Sequence, residues 1–562
     1  MSVDVVIAGG GPNGLMLACE LSLAGVRPVL LERLPEPGDE PRANGLVGEV
    51  VRLLDGRGLY RRLTGASEPP APVPYFMFGG MLLDLSALDP GPLHTLPVPQ
   101  RRLEQLLQER AIELGVEIRR GHELVDMSQD EEGVTVEVHA PDGDYELRAR
   151  YLVGCDGAHS LVRKKAGIGF PGVTTEDVVS RSAHAALPAS LLDPATGELL
   201  LAGERWRPFM IHRTAHGVFA LASFEPGVHL VTTMEWGREQ VDERVPMTLE
   251  ELRDSVRRVL GADLPMSPPG GRGPHVLRRL TGGNTRLADR YRAGRVLVAG
   301  DAAHVHSAAG GPGLNLGLQD VVNLGWKLAA EVRGWAPPGL LDTYHDERYP
   351  AGERVVMHTQ AQSALLAPGG EVTALRTLFA ELLCHDENRR RVAELIAGSD
   401  IRYDMAGIGT TPGPAGGDVH PDAGRPDTGR PDTGGPGPAG SGVRPGAAGA
   451  GPAPHALLGG LAPELSLTTD AGTTRLADLT HGARPLLLDL GGGDVLAGTA
   501  AGWKDRVDLV TAVTAVPDRR VPAGLLVRPD GYVAWTAPDE GTGVPADHGL
   551  REALSTWFGA PA

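Results

Sequence analysis

Apolar residues fill the run Val3–Ala8 without a break, as in a strand buried on both faces. Over residues 12–24 they recur at helical spacing, with Leu15, Ala18 and Leu21 on one side, and Gly25 is placed to stop that helix. A second strand-like run, residues 28–31, ends at Glu32. Strand, helix and strand joined this tightly predict a parallel pair in a doubly wound sheet. Alternation of strand-like and helix-like segments continues over a first zone, residues 1–170.

Residues 171–285 change character. Strand-like patches at 218–224 and 229–236 are separated by Gly and Pro, and one helical pattern at 249–260 interrupts them. This predicts a mostly antiparallel sheet in a second lobe, which the stretch 71–97 is expected to join. Residues 286–405 return to the first lobe. A buried-strand pattern at 295–299 leads into a Gly-rich loop and a long helical pattern at 314–332. The Gly/Pro/Ala/Asp tract 406–454, with a tandem pentad at 424–434, has too few apolar residues to bury a core and reads as a flexible linker. Residues 455–562, with strand-like runs at 485–490, 507–513, 524–527 and 532–535, predict a small α/β domain.

Composition narrows the function classes. With 562 residues and 41% hydrophobic content the chain can build more than one core, which excludes wholesale disorder. Lys+Arg 53 against Asp+Glu 71 gives a net charge of −18, a poor match to nucleic-acid phosphates. No stretch approaches the ~20 apolar residues of a membrane span. The start lacks a basic leader, so no export signal is expected. Cys19, Cys155 and Cys384 are far apart and form no metal pattern, which points to a reducing, cytoplasmic compartment.

The first turn carries Gly9-x-Gly11-x-x-Gly14, with Pro12 and Asn13 inside it and Glu32 closing the second strand. Gly9 permits a tight turn, Gly11 leaves room for a pyrophosphate, and Gly14 lets helix and strand pack closely. The helix N-terminus adds free N–H groups and a positive dipole end. Glu32 suits a ribose hydroxyl and disfavours a 2′-phosphate, so the expected dinucleotide is FAD or NAD. Two further segments stand out. YLVGCDGAHSLVRKKAG begins at Tyr151 and holds Asp156, Gly157 and Arg163. VLVAGDAAHVHSAAGGPGLNLGLQD begins at Val296 and holds Asp301, His304, His306, Gly310, Gly311, Gly313, Leu314 and Asn315. The two histidines, spaced i, i+2, lack further ligands and are expected to pack rather than bind metal.

Together the three segments resemble the flavoprotein aromatic hydroxylases, single-component FAD monooxygenases related to p-hydroxybenzoate hydroxylase, over residues 1–400. The resemblance implies an α/β fold. Its parts are a doubly wound, Rossmann-like FAD-binding domain of the glutathione-reductase type, and an inserted, mostly antiparallel substrate lobe. The tail resembles the thioredoxin-like domain of larger phenol and polyketide hydroxylases. With no Cys beyond Cys384 it has no CxxC centre. It is expected to serve structure or interfaces and to be dispensable for flavin reduction.

The resemblance also implies residue roles. Asp301 would bind the FAD ribose near the pyrophosphate, and backbone N–H groups of Leu314 and Asn315 would face the flavin pyrimidine edge, where reduced flavin carries negative charge. Arg33, Arg42, Gln100, Arg102, Leu124 and Asp156 fall at further FAD positions. Arg42 as a solvated charge and Asp156 as a turn residue remain alternatives. Two positions depart from the family pattern: Ala308 stands for Pro, and Pro312 for Gln or Lys. The expected chemistry is reduction of FAD by a transient NADPH or NADH, then oxygen transfer from O2 through a flavin C4a-hydroperoxide to a polycyclic aromatic polyketide, with no catalytic side chain. Candidate pocket residues are Phe76, Phe78, Trp206, Phe209, Met210, His212, Met234 and Trp236, each of which equally suits a core. Baeyer–Villiger or rearrangement chemistry on a similar substrate is a rival, and a non-enzymatic binding protein on the same scaffold is another. Partners are expected to be the small-molecule substrate alone, on a monomer or homodimer, without nucleic acid or membrane.

Overall fold

The computed structural model describes every residue except 1–2, 39–42, 239–243, 272, 308–309, 406, 409–454, 516–520 and 540, and the side chain of Phe224. The first lobe is built on β1 (Val3–Ala8), α1 (Pro12–Leu23), β2 (Pro28–Glu32), β3 (Tyr145–Gly154), β4 (Val296–Val298), α2 (Pro312–Arg333) and α3 (Thr343–Leu366). β1 lies between β2 and β3 and runs parallel to both, and β4 is parallel to β3. The chain steps from β1 to one side first and later returns on the other. The strand order therefore reverses at β1, and β1, β2, β3 and β4 all end on one edge. In an open α/β sheet such a reversal opens a ligand crevice beyond the carboxyl ends.

Both helices nearest this edge are buried on nearly every side, the polar Glu20 of α1 and Asp320, Asn323 and Lys327 of α2 included. They cross closely at two glycines of α2. A Cβ on Gly317 would stand 2.5 Å from Asn13 Nδ2, and one on Gly325 would stand 2.6 Å from Glu20 Cβ. A methyl at Gly325 would have to displace the Glu20 stem, and one at Gly317 the Asn13 amide.

The middle lobe is a six-stranded sheet in the order Ile211–Arg213, Val218–Glu225, Val228–Trp236, Gly172–Ala185, Leu277–Leu287, His304–Val305. All its pairings are antiparallel. Helix Leu249–Leu260 covers one face, burying Phe219, Leu221 and Val231 against Val256 and Val259. Thr248 caps that helix, its hydroxyl accepting from the Glu251 N–H at 3.1 Å.

Two expected boundaries move. The sheet does not stop at residue 285: Leu277–Leu287 runs through it, and His304–Val305 crosses from the third zone to pair with Arg286 and Leu287. The two lobes are therefore stitched together beside Asp301. Nor does the 71–97 stretch add strands to this sheet. Tyr75–Phe78 and Met81–Asp84 pair only with each other and pack onto Leu365, Phe379 and Ile396.

In the C-terminal domain Leu486–Asp489 pairs parallel with Asp508–Thr511 and antiparallel with Gly524–Val527, which pairs in turn with Val533–Thr536. This domain shares a core with the first lobe: Trp326, Ala330 and Leu340 pack with Leu487, Trp503, Trp535, Trp557 and Phe558. Of the tract read as a linker, residues 406 and 409–454 lie outside the described residues. No helix among the described residues is long and apolar enough to cross a membrane.

Candidate functional site

The glycine-rich turn leaves β1 at the reversal point. Gly9 has φ +107°, and a Cβ there would stand 2.3 Å from the Cys155 carbonyl oxygen. At Gly14 a Cβ would stand 1.9 Å from the Gly9 carbonyl oxygen, whereas at Gly11 it would meet no atom within 4 Å. Two glycines thus serve the fold, and the third fronts open space. Gly11 caps α1 without any side-chain bond, and Pro12 occupies its first turn. The first-turn N–H groups therefore face the crevice. Asn13 Oδ1 is buried there with no hydrogen-bond partner. Glu32 sits beside the turn, its carboxylate accepting from the Gly10 N–H at 2.6 Å and the Leu34 N–H at 2.9 Å. Arg33, next to it, is exposed.

On the other side β4 runs into a short turn at Gly300–Ala302. A Cβ on Gly300 would stand 2.0 Å from Asn13 Nδ2, so this turn lies directly against the start of α1. Asp301 projects from it, exposed. α2 starts nearby from Gly311 at φ +69°, again with no side-chain cap and with Pro at its first turn. Asn315 brackets this start: its Nδ2 donates to the Gly311 carbonyl at 2.8 Å and its Oδ1 accepts from the Val47 N–H at 3.0 Å. Val47 was not singled out from the sequence, where nothing ties it to a segment 268 residues away. Gly310 packs on Gln362, and Leu314 is half-buried against the first-lobe core. The ring of His306 lies 3.5 Å from where a Gly313 Cβ would stand. Burial pushes His306 down to about 4. His304 is buried, its Nε2 2.6 Å from Asp320 Oδ2. No group of three metal-ligating side chains occurs among the described residues. Pro312 is the first residue of α2, and Ala308 lies outside the described residues.

The second segment plays a different part. Asp156 accepts from the Ser160 hydroxyl at 2.5 Å and from the Leu161 and Val162 N–H groups at 2.8 and 3.1 Å. Its carboxylate thus caps the helix Leu161–Lys165. Arg163 is buried, donates to the Ala302 carbonyl at 2.9 Å and stacks on Phe170 at 3.7 Å. It anchors the turn that carries Asp301. Gln100 starts the helix Gln100–Glu113, and its N–H donates to the Ala43 carbonyl at 2.8 Å. Arg102 is exposed on that helix. Leu124 is buried just past His122, whose N–H donates to the Glu32 carbonyl at 3.0 Å. Arg42 lies outside the described residues.

The middle sheet turns its uncovered face toward the Tyr75–Asp84 hairpin and α3. Register puts Ile211, Ala220, Thr232, Ser182 and Arg278 in one row on that face, and Arg213, Val218, Met234, Ser180 and Leu280 in the next. Ile211 meets the hairpin through its N–H, 3.5 Å from Met77 Sδ. Trp236 shares the parity of Met234, so both candidates line the open face. Four other candidates do not. His212 is paired with Phe219 on the helix-covered face, and Trp206 packs edge-on to both, at 5.3 and 5.6 Å. Phe76 and Phe78 point into the helical core with Phe379, leaving Met77 toward the sheet. Strand alternation decides both corrections, since side chains two apart share a face and neighbours do not. Phe209 is exposed with φ +61°, and Met210 is half-buried.

Residues 2–359 match the family model described as FAD binding domain, and residues 455–561 match that described as aromatic-ring hydroxylase, C-terminal. A 12-dehydrotetracycline 5-monooxygenase/anhydrotetracycline 6-monooxygenase of Streptomyces rimosus subsp. rimosus is 43% identical, over 100% of both chains. A rifampicin monooxygenase of Streptomyces venezuelae is 38% identical over 99% of each. Among solved structures, the OxyS anhydrotetracycline hydroxylase from Streptomyces rimosus superimposes with a TM-score of 0.80 at 41% identity, covering 100% of both chains.

Proposed function

The chain belongs to the FAD-binding aromatic-ring hydroxylases and is a flavin monooxygenase, and we propose that it hydroxylates a polycyclic aromatic polyketide in natural-product biosynthesis. Its cofactor is FAD, with NAD(P)H as reductant and O2 as co-substrate. The observation that carries the substrate proposal is the open face of the middle sheet. It is broad, carries Ser180, Ser182, Ala220, Thr232 and Met234 with Arg213 and Arg278 in the same rows, and its edge strand His304–Val305 stands shortly before Gly310 in the chain. A flat, multi-ring phenol suits such a surface, and the similarity to tetracycline-oxidising enzymes over the whole length agrees with it.

The crevice fits FAD on its own geometry. Open space at Gly11 and two uncapped helix starts on one sheet edge match a ligand with a diphosphate in its middle. We assign Gly9, Gly11, Pro12, Asn13 and Gly14 to the pyrophosphate, Glu32 and Leu124 to the adenosine side, and Asp301 to the other ribose-side hydroxyls. Gly310, Gly313, Leu314 and Asn315 would serve the pyrimidine edge. Arg33, Gln100 and Arg102 would be peripheral contacts. Asp156 and Arg163 act through others: one shapes the turn after β3, and the other holds the Gly300–Ala302 turn.

When bound, FAD supplies the oxygen-activating chemistry. The chain's own share is positioning. The start of α2 aims its dipole at developing negative charge, with Asn315 holding the loop so that no reorganisation is needed. The sheet face and the hairpin orient the ring and exclude water. No side chain is given an acid or base role.

The test is anaerobic reduction of the purified protein by NADPH or NADH with a panel of polycyclic phenols, followed by admission of air. Faster reduction with a phenol present, and a product heavier by one oxygen, is expected. A colourless protein that takes up no FAD, or one that leaves every phenol unchanged, contradicts the proposal.

A further inference from the structure

Behind the crevice, along the sides of α1 and α2, lies a buried set of charges that the site does not use. On α1, Glu20 takes both arms of Arg57, at 2.7 and 2.9 Å. Arg57 continues into the C-terminal domain, donating to the carbonyls of Thr480 at 3.1 Å and Pro529 at 2.6 Å. On α2, Asn323 and Lys327 donate to Glu347 Oε2 at 2.6 and 2.7 Å, and Asn323 also reaches Asp530 Oδ2 at 3.0 Å. Arg528 clamps both oxygens of Glu347 at 2.7 Å and both of Asp530, and lies over the rings of Trp557, Trp326 and Tyr403.

A second strand of contacts leads back to the crevice. Tyr403 stacks on Tyr532 of the C-terminal domain at 4.0 Å, and Arg348 donates to the Tyr403 hydroxyl at 3.0 Å. Arg348 pairs with Asp320 at 2.8 Å, and Asp320 holds His304, three residues past Asp301. Glu20, Arg57, Asp320, Lys327, Glu347, Arg348, Arg528 and Asp530 are all buried.

Apolar side chains would glue two domains together at least as well, without the desolvation cost of ions. Bidentate, fully hydrogen-bonded pairs add something that glue does not, a fixed distance and angle. The single turn 528–530 touches both the α1 pair and the α2 cluster. These are the two helices whose starts face the crevice, and they cross at Gly317 and Gly325 with no slack.

We propose that the C-terminal domain is a positioning element for the cofactor: its 528–530 turn locks α1 against α2 from behind and thereby fixes the spacing of the two helix starts that hold FAD. This rests on the FAD assignment above. Arg528, Glu347 and Tyr403 are positioning residues, since none of them reaches the crevice.

The test uses the full-length holoenzyme and the variants Arg528→Met, Arg528→Lys and Tyr403→Phe. It reads FAD dissociation constant, flavin midpoint potential and thermal midpoint. Arg528→Met should weaken FAD about tenfold and shift the potential, a coupling of the size that distant positioning contacts carry. Arg528→Lys should recover part of both. A lower thermal midpoint with unaltered FAD affinity and potential overturns the proposal, because an adhesive role moves stability alone. Should Arg528→Met fail to fold, Tyr403→Phe removes one hydroxyl and keeps the ring, and the same two flavin readouts decide. A wild-type protein without FAD affinity would defeat the function above; a wild-type binder with indifferent variants defeats only this inference.

Discussion

Asp301 stands exposed at the edge of the crevice, so removing its carboxylate should cost ligand binding and little else. Asp301→Ala is expected to weaken FAD about tenfold to a hundredfold, the worth of one hydrogen bond to a charged group. Flavin retention on dilution measures this, and wild-type retention would remove Asp301 from the site. Single residues were legible in the sequence where backbone geometry dictates their type. Gly9 and Gly14 could be read because any side chain there collides with the Cys155 or Gly9 carbonyl. Asp156 and Arg163 were legible as a motif but not in their parts: only the fold shows that one caps a helix and the other grips Ala302. For Phe76, Phe78, Trp206 and His212, composition marks an aromatic strand without telling which face meets the cleft, and only the fold turns them away from it.

At the scale of elements, the turn between β1 and α1 separates binding from folding. Gly11→Ala places its methyl in open space and should leave the thermal midpoint of the apoprotein unchanged while abolishing FAD uptake. Gly14→Ala drives its methyl into the Gly9 carbonyl and should lower the midpoint as well. Calorimetry of both apoproteins with a flavin titration checks the contrast; equal behaviour of the two would mean that Gly11 does not front the ligand. The strands and helices of the first lobe were largely legible, since apolar runs and helical spacing set them locally. The crossing of α1 and α2 at Gly325 was not. Only the approach of Glu20 from a helix some 300 residues earlier makes that glycine necessary. The His304–Val305 strand escaped notice for the same reason, being too short to show a pattern and defined by its partner Leu277–Leu287.

For the whole molecule, the shared core around Trp326 and Trp557 alters what truncation should do. Removing residues 455–562 would strip this core and leave Glu347 without Arg528, so the remainder should aggregate or lose FAD. A soluble, FAD-replete truncate would contradict this. Acid should destabilise the protein through its buried histidines. Burial pushes His306 and His358 each down to about 4 from 6.5. Between those values the unfolded chain binds protons that the folded one refuses, so stability falls as pH drops from 6.5 toward 4. The slope is at most ~1.4 kcal/mol per pH unit for each histidine. Thermal midpoints across that range should decline, and His358→Asn should flatten the decline; an unaltered slope would exclude His358 as a source.

The central claim is oxygen transfer on a flavin held in the β1 crevice, and turnover under 18O2 tests it most directly. The purified protein, given FAD, NAD(P)H and a polycyclic phenol, should yield a product carrying one labelled oxygen atom for each NAD(P)H consumed. NAD(P)H consumption that ends wholly in labelled hydrogen peroxide for every phenol tried, or a product whose new oxygen comes unlabelled from water, would contradict it.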